Sequence, residues 1–522
     1  MIELRIQIKR VMLITLFILI KNNELYSQGY NHNWLLGYDV GLFDTNVTST
    51  KAWLKFDASN ITVATDSFKM PFRAAQGNIS DANGNLLMVS NGCWIAGATL
   101  DTIQNGGGLN PSQFTDDWCD NVSGIPFPHS NIILPYPGDS TKFVLLHQTG
   151  SYNVPNGKSL ELNYTIIDMN LNAGLGGVPV GQKNLIAVQD TLNPMLASCR
   201  HANGRDWWII AFEDNTDILY SILLTPTGIT NVSTQSIGMS ANFYGLGQAN
   251  FSPDGNKFAY HHRDFGAGGT PVYHTIRLFD FDRCSGMLTN GQIISHTDSV
   301  YSGNGLAFSS NSKYLFFTTF NEIYQINTDS SNVQASLSLV AVNDGYAYPY
   351  PSLKTDFWTM YLAANGKIYI SSGSGVIDMH YINYPDSAEM TCDVQQHALR
   401  LPCYYVRGNV YHPNYYLGCD TTQTTCPCLT DVNNLSPPDF KFRIYPNPVT
   451  KGILNIGYLL PQNKHGVFEM VDVTGKVVFK YTLPPWSNEQ SFKLPGLSNG
   501  VYNCVIRSDG KRVSRKVAII NN

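Results

Sequence analysis

The chain has 522 residues, 43% of them hydrophobic, so it can bury a large core and is not globally disordered. Charged residues make up only 14% and aromatic residues 12%, with 44 glycines and 26 prolines. That composition fits an all-β extracellular chain better than a helical cytosolic one. The net charge of −5 comes from 34 basic and 39 acidic residues mixed along the chain without a basic stripe, which argues against nucleic acid as a partner.

At the N-terminus, Arg5, Lys9 and Arg10 precede an apolar run from Val11 to Ile20, closed by Lys21. A run of this length suits the core of a secretory signal and falls short of the ~20 residues that cross a bilayer. Leu25, Tyr26 and Ser27 offer a small residue at a cleavage point, placed between Ser27 and Gln28. Residues 1–27 are read as a signal peptide, and the mature chain as soluble.

From residue 28 one unit recurs: a short strand of small residues, a turn, then a strongly apolar strand. Its copies turn at Gly84, Gly138, Gly204, Gly255, Ser312 and Gly366, spaced by about 56 residues. A four-stranded unit repeated at such a period predicts a β-propeller over residues 28–418, with seven blades, or six with longer insertions. The seventh blade is expected to combine strands from both ends, the 34–56 region with Cys403 to Gly418, so closing the ring. The copy FSPDGNKFAY (Phe251 to Tyr260) resembles the repeats of TolB-like and WD-type propellers.

Strand alternation puts every second turn on the same face. The face opposite the repeat turns then carries His147-Gln148, Glu213-Asp214, His261 to Asp264 and Asn321-Glu322 on one set of loops. Arg73, His129, Tyr244 and Trp358 lie on the other set. The candidate ligand face is therefore Arg73, His129, His147, Glu213, Tyr244, His262, Asp264 and Trp358. Trp358 and Tyr244 could stack on a sugar or peptide ring, with Glu213 and Arg73 giving directed hydrogen bonds. Glu213 and Asp264 could serve as acid and base, and His129 and His147 as proton carriers or metal ligands. No nucleophile elbow, HExxH helix, phosphate loop or dinucleotide fingerprint is present, and no cofactor or resident metal is implied.

The ten cysteines, behind a signal peptide, are expected to form disulfides whose pairing the sequence leaves open. Cys419, Cys426 and Cys428 crowd a Thr-, Asn- and Pro-rich linker over 419–439; their C-x6-C-x-C spacing does not fit the usual zinc sites. Asp81, Asn83 and Asn85 alternate like the start of a calcium loop, but Gly92 stands where such a loop needs Glu, so they are read as a hairpin turn. Short motifs at Asp101, Asp139, Asp190, Asp298, Asp386 and Asp420 resemble periplasmic O-glycosylation sites of bacteria that use type IX secretion.

From Phe440 the text becomes a run of short alternating strands with turns at Thr474-Gly475-Lys476, Asn499-Gly500 and Asp509-Gly510, predicting a small Ig-like β-sandwich over 440–522. Tyr445, Pro446, Asn447 and Pro448, then DVTGK with Gly475, then LPGLSNGVYNCVI with Gly500 and Tyr502, then a basic-to-apolar ending, resemble the type IX secretion C-terminal sorting domain. Asn503-Cys504 departs from the family's usual residues. The resemblance implies recognition by the translocon and its sortase-like peptidase, followed by release or attachment to surface lipopolysaccharide. The chain is thus expected to be a secreted or surface propeller that binds a glycan or peptide, the alternative being a hydrolase or lyase acting on glycans or peptides at the same face.

Overall fold

The computed structural model describes residues 29–520, except 39–46, 57–59, 121–122, 155–156, 239–246, 266–270, 299–302, 349–352, 409, 423–424, 429–441, 451, 459–464, 484–488 and 509–510. The expected signal peptide, with Ser27 and Gln28, lies outside the described residues. The chain divides after Cys428 into two compact units.

In the first unit, β1 (Asn33–Leu36), β2 (Lys51–Phe56) and β3 (Ile61–Asp66) form one sheet, and β4 (Gly77–Ser80), β5 (Leu86–Ser90), β6 (Trp94–Gly97) and β7 (Thr102–Gly107) the next. The helix α1 (Gln113–Asp120) follows. A seven-stranded sheet then holds β8 (Asn131–Pro135), β9 (Lys142–His147), β10 (Ser159–Asp168), β11 (Leu185–Arg200), β12 (Trp207–Glu213), β13 (Ile218–Thr225) and β14 (Gly228–Ser236). It is two repeats joined: the first half of β11 pairs with β10 and the second with β12. The register breaks between Asn193 and Leu196, where Pro194 has no N–H to give. Three more four-stranded sheets follow: β15 (Gln248–Phe251), β16 (Lys257–Phe265), β17 (Val272–Asp282) and β18 (Met287–Asp298); β19 (Leu306–Phe308), β20 (Tyr314–Thr318), β21 (Glu322–Asn327) and β22 (Ser338–Val342); β23 (Met360–Leu362), β24 (Ile368–Ile370), β25 (Val376–Ile382) and β26 (Val394–Tyr405).

Among the described residues these make seven repeats of a β-propeller. The strands β1, β4, β8, the second half of β11, β15, β19 and β23 are neighbours around a common axis. Second strands such as β12 and β20 are largely apolar and buried; all five residues of β20 are buried. Outer strands such as β14 face water and are polar. The six repeat turns share one backbone solution, with φ between +63° at Ser312 and +79° at Gly84. Glycine adopts that left-handed conformation without steric cost, and Ser312 is the one copy that does so with a side chain. A local acceptor holds the turn closed: Asp81 Oδ1 accepts the amides of Asn83 (2.8 Å) and Asn85 (2.9 Å). Asp81 is thus occupied in a turn. The end of the propeller carrying these turns is called the turn face, and the opposite end the loop face.

The expected pairing of the 34–56 region with residues 403–418 does not form. Cys403 to Tyr405 end β26 in the last sheet, while β1–β3 make a sheet of their own. The inner edge of β1 is covered by side chains instead: Asn78 Nδ2 donates to the Asn33 carbonyl (2.9 Å) and Gln76 Nε2 to that of Leu35 (2.6 Å). Ring closure rests on packing, with Trp34 and Phe56 set edge-on against Tyr369 at 5.5 and 5.4 Å. Two amides, Thr48 and Ser49, reach the Pro402 carbonyl (3.1 Å each).

Residues 406–408 and 410–418 instead run down the axis. Arg407 N donates to the Ser372 carbonyl at the loop face (2.8 Å). His412 Nε2 meets Asn78 Oδ1 (2.7 Å), Asn414 Nδ2 donates to Pro253 O (2.6 Å), Tyr415 Oη to Ile133 O (2.8 Å) and Tyr416 Oη to Asn31 Oδ1 (2.9 Å). A ladder would have bonded this segment to one sheet; a position on the axis lets it bond to several. At the turn face, Cys419–Cys428 and Cys284–Cys426 fasten the following chain, while Cys93–Cys119 ties the β5–β6 loop to α1. Cys199, Cys392, Cys403 and Cys504 are unpaired and buried, and burial pushes each thiol up to about 12.

The second unit packs β27 (Arg443–Tyr445), β28 (Ile453–Gly457) and β31 (Glu489–Lys493) as one sheet and β30 (Val477–Leu483), β29 (Gly466–Val471), β32 (Gly500–Ser508) and β33 (Lys511–Ile519) as another. Alternation in β29 buries Phe468 and Met470, and Phe468 stacks on Phe492 with ring centroids 5.0 Å apart. Asn447 clamps β33: its Oδ1 accepts the Ala518 amide (3.0 Å) and its Nδ2 donates to the Lys516 carbonyl (3.1 Å). Gly475 takes φ +87° in the β29–β30 hairpin, where Asp472 Oδ1 accepts the amides of Thr474 (2.9 Å) and Lys476 (3.0 Å). Tyr502 Oη donates to Ser498 O (2.8 Å) across the turn at Gly500. Cys504 lies in this core.

Candidate functional site

The inner strands are joined near the loop face by one buried side chain. Gln248 Oε1 accepts the amides of Leu306 and Met360, each at 2.9 Å, and its Nε2 donates to the Met360 carbonyl and to His129 Nε2, each at 2.9 Å. Four repeats meet at this amide. His129 is therefore a structural acceptor, and burial pushes its pKa down to about 3.

Two residues toward the loop face, about 7 Å along an extended strand, stand Asn304 before β19 and Trp358 before β23. Gln148, in the third repeat, donates its backbone amide to the Ser130 carbonyl (3.0 Å). All three are buried, and Asn304 Oδ1, Trp358 Nε1 and both side-chain polar atoms of Gln148 have no hydrogen-bond partner among the described residues. Buried groups of this kind are rarely left unsatisfied.

Trp358 is 6% exposed. One side of its ring is so close to Gly373 that a Cβ there would lie 2.6 Å from Cε3. The guanidinium carbons of Arg407 and Arg263 stand 5.4 and 5.8 Å from the ring centroid. Trp358 therefore supports two arginines and has no open face for a ligand ring, contrary to the stacking role expected of it. Arg73 lies over Trp118 (5.6 Å) on α1. Burial first, and then the positive charge of Arg73, disfavour charge on Arg407; burial and then Arg407 lower Arg263 to about 10. Arg407 Nε is buried without a partner, and neither Arg73 nor Arg407 forms an ion pair among the described residues. The acid whose charge acts on Arg407 is Asp356, which burial raises to about 6 and whose Oδ1 accepts from Gly373 N (2.6 Å) and Ser372 Oγ (3.0 Å).

The remaining candidates stand at the same end of their sheets without joining this group. His147 is fully buried between Asn110 Oδ1 (2.7 Å from Nδ1) and Thr165 Oγ1 (2.9 Å from Nε2), and burial pushes it down to about 3. Glu213 accepts from Thr216 Oγ1 (3.0 Å). Asp264 is exposed, 3.5 Å from the buried His262. Tyr244 lies outside the described residues. Among the described residues, neither His129 nor His147 is hydrogen-bonded to a carboxylate. A buried ion pair, Lys158–Asp214 (2.8 Å), occupies the adjoining part of the loop face. Among the described residues, no three His, Cys, Asp or Glu side chains are placed to hold a metal ion.

Sequence reasoning missed Gln248, Asn304 and Arg407. Gln248 bonds to residues 112 and 119 positions away, and Arg407 was absorbed into a supposed closing strand. Below the Gln248 layer, a cavity of about 250 Å³ lies between the inner strands and the axial segment, lined by Ser198, Asn250, Tyr361, His412 and Asn414 among others.

No curated protein matches the chain. Among solved structures, it is similar to a Bacteroides uniformis protein assigned as a 6-phosphogluconolactonase, 11% identical, covering 72% of this chain and 98% of that one with a TM-score of 0.40. The periplasmic gluconolactonase PpgL of Pseudomonas aeruginosa is 12% identical, with 72% and 98% covered and a TM-score of 0.33. A protein assigned as TolB from Agrobacterium tumefaciens is 15% identical, with 56% and 88% covered and a TM-score of 0.31. Residues 443–520 match the family described as the secretion system C-terminal sorting domain. Among the described residues, no helix is long and apolar enough to cross a membrane. The tail is thus a type IX sorting domain, and it directs the chain to the cell surface or the extracellular space.

Proposed function

We propose that the exported propeller is a binding module whose ligand contacts lie at the loop face, around Trp358, Arg407 and Arg73, with a glycan or peptide as ligand. The observation that carries this reading is the contrast within that face. His129 and His147 are buried in structural bonds and held neutral by burial, while the N–H donors of Trp358 and Arg407 and the side-chain oxygen of Asn304 remain unused. Recognition needs such unused groups; hydrolysis or elimination needs an acid and a base within reach of one bond, and this group contains no such pair. The sorting domain supplies delivery, and its removal by the sortase-like peptidase, with release or attachment to lipopolysaccharide, completes the proposal. The test is a glycan and peptide array probed with the full secreted chain and with an Arg73→Gln/Arg407→Gln double variant. Binding that the variant loses supports the reading; unchanged binding overturns it. Deleting residues 440–522 should leave the propeller in the periplasm.

A further inference from the structure

The loop-face layer combines two kinds of unused group. Arg407 Nε and Trp358 Nε1 are donors, one of them charged, and they share their surroundings with the charges of Arg73 and Arg263. Asn304 Oδ1 is an acceptor. Trp358 and Asn304 are held at the same height by the Gln248 hub, because each stands two residues above a strand amide bonded to Gln248 Oε1. Arg73 and Arg407 are partly exposed, so the layer opens to solvent at its cationic side.

A bare inorganic anion would satisfy the donors and leave Asn304 Oδ1 empty. A neutral sugar would satisfy that acceptor and leave the guanidinium groups of Arg73 and Arg407 set against the one carboxylate that acts on Arg407, Asp356. A ligand carrying both an oxyanion and hydroxyl groups answers both. We infer that this layer binds an acidic sugar, its carboxylate or sulfate on Arg407 and the Trp358 indole N–H and a hydroxyl on Asn304 Oδ1. This deepens, and rests on, the reading of the loop face as a binding site. Trp358 contributes through its N–H and as the ring that supports the Arg407 and Arg263 guanidinium groups, rather than by stacking on the ligand.

The experiment is calorimetric titration of the full secreted chain with glucuronate, glucose 6-sulfate, glucose and inorganic sulfate. The two acidic sugars should bind at least tenfold more tightly than glucose or sulfate, and whichever of the two binds more tightly identifies the oxyanion. Trp358→Phe keeps the ring and removes only the N–H, and should weaken the acidic sugar about fivefold. Arg407→Lys keeps the charge but loses the Nε–H fork, and should weaken it about tenfold. An unchanged thermal midpoint in each variant separates loss of binding from loss of fold; if Trp358→Phe unfolds, Arg407→Lys decides alone. Glucose binding as tightly as glucuronate, with both weakened by Arg407→Lys, would overturn the acidic-sugar inference and leave the binding reading intact. Sulfate binding as tightly as the acidic sugars would also overturn it, reducing the layer to a simple anion site. Acidic sugars that bind equally to wild type and both variants, or none of the four binding, would overturn it as well; array hits abolished by the Arg73/Arg407 double variant would still stand for the broader reading.

Discussion

The two faces of the propeller are held together in different ways. At the turn face, bonds close within a few residues: Asp81 to Asn83 and Asn85, or Asp254 to Asn256. At the loop face, bonds join distant parts of the chain: His147 to Asn110 across 37 residues, Lys158 to Asn193 across 35, Gln248 to Met360 across 112. The turn face rests on local solutions repeated around a ring and joined by a few longer bonds, such as Asp254 N to Ser312 Oγ (3.0 Å) and Asn33 Nδ2 to the Gly84 carbonyl (2.8 Å), with the axial segment and two disulfides fastened to it. The loop face is one connected polar network buried in low dielectric, where each group depends on several others. Local solutions tolerate change one at a time. A network fails as a unit, and also leaves room for unsatisfied groups that a ligand can use.

The largest expected effect comes from the axial segment, which spans both faces. Tyr415→Ala removes a buried ring packed near Trp207 and Tyr30 and a hydrogen bond to Ile133, and should cost about 3–5 kcal/mol. Denaturant titration checks this; a loss below about 1 kcal/mol would mean the axis holds the blades together without it. Next, Cys284→Ser/Cys426→Ser opens the turn-face staple with a sequence separation of 142 and should cost about 2–4 kcal/mol, with loop-face binding unchanged if the faces are independent.

The pH dependence probes the loop-face network, where burial lowers the pKa of His129 and His147. Their folded pKa of about 3 lies below the ordinary 6.5, so above pH 6.5 both folded and unfolded states are neutral and no penalty exists. As pH falls below 6.5, only the unfolded state takes up the proton, and stability declines until about pH 3. At pH 5, His147 alone should cost about 2 kcal/mol relative to pH 8. Unfolding midpoints across that range should fall, and His147→Asn should flatten the slope. The smallest effects belong to the repeat turns. Gly366→Ala meets no neighbouring atom and bears only the backbone cost of φ +76°, about 1 kcal/mol. Gly255→Ala, with Leu417 Cδ2 at 2.5 Å from the new Cβ, should cost measurably more. Equal losses would show that the axial segment yields freely at this turn.

The same division explains what could be read from the residues. The repeat turns, the apolar second strands and the YPNP, DVTGK and NGVY segments of the sorting domain were legible, since each depends on a residue and its near neighbours. Trp358 and Arg73 were legible as loop-face residues from strand alternation, but the burial of Trp358 between Gly373 and two arginines was not. The closing strand expected from Cys403 to Gly418 failed because apolar, aromatic text serves equally for a strand and for a segment buried along an axis.

By itself, then, the sequence determined the β-repeat, the positive-φ turns and the type IX tail, all of which arise from local backbone sterics and short-range hydrogen bonding. Only the tertiary structure decided that β1 would be edged by the side chains of Asn78 and Gln76, that Arg407 would stand beside Trp358, and that Gln248 would join four repeats. Those outcomes depend on which buried polar groups are brought together once the ring closes, and no spacing along the chain encodes that.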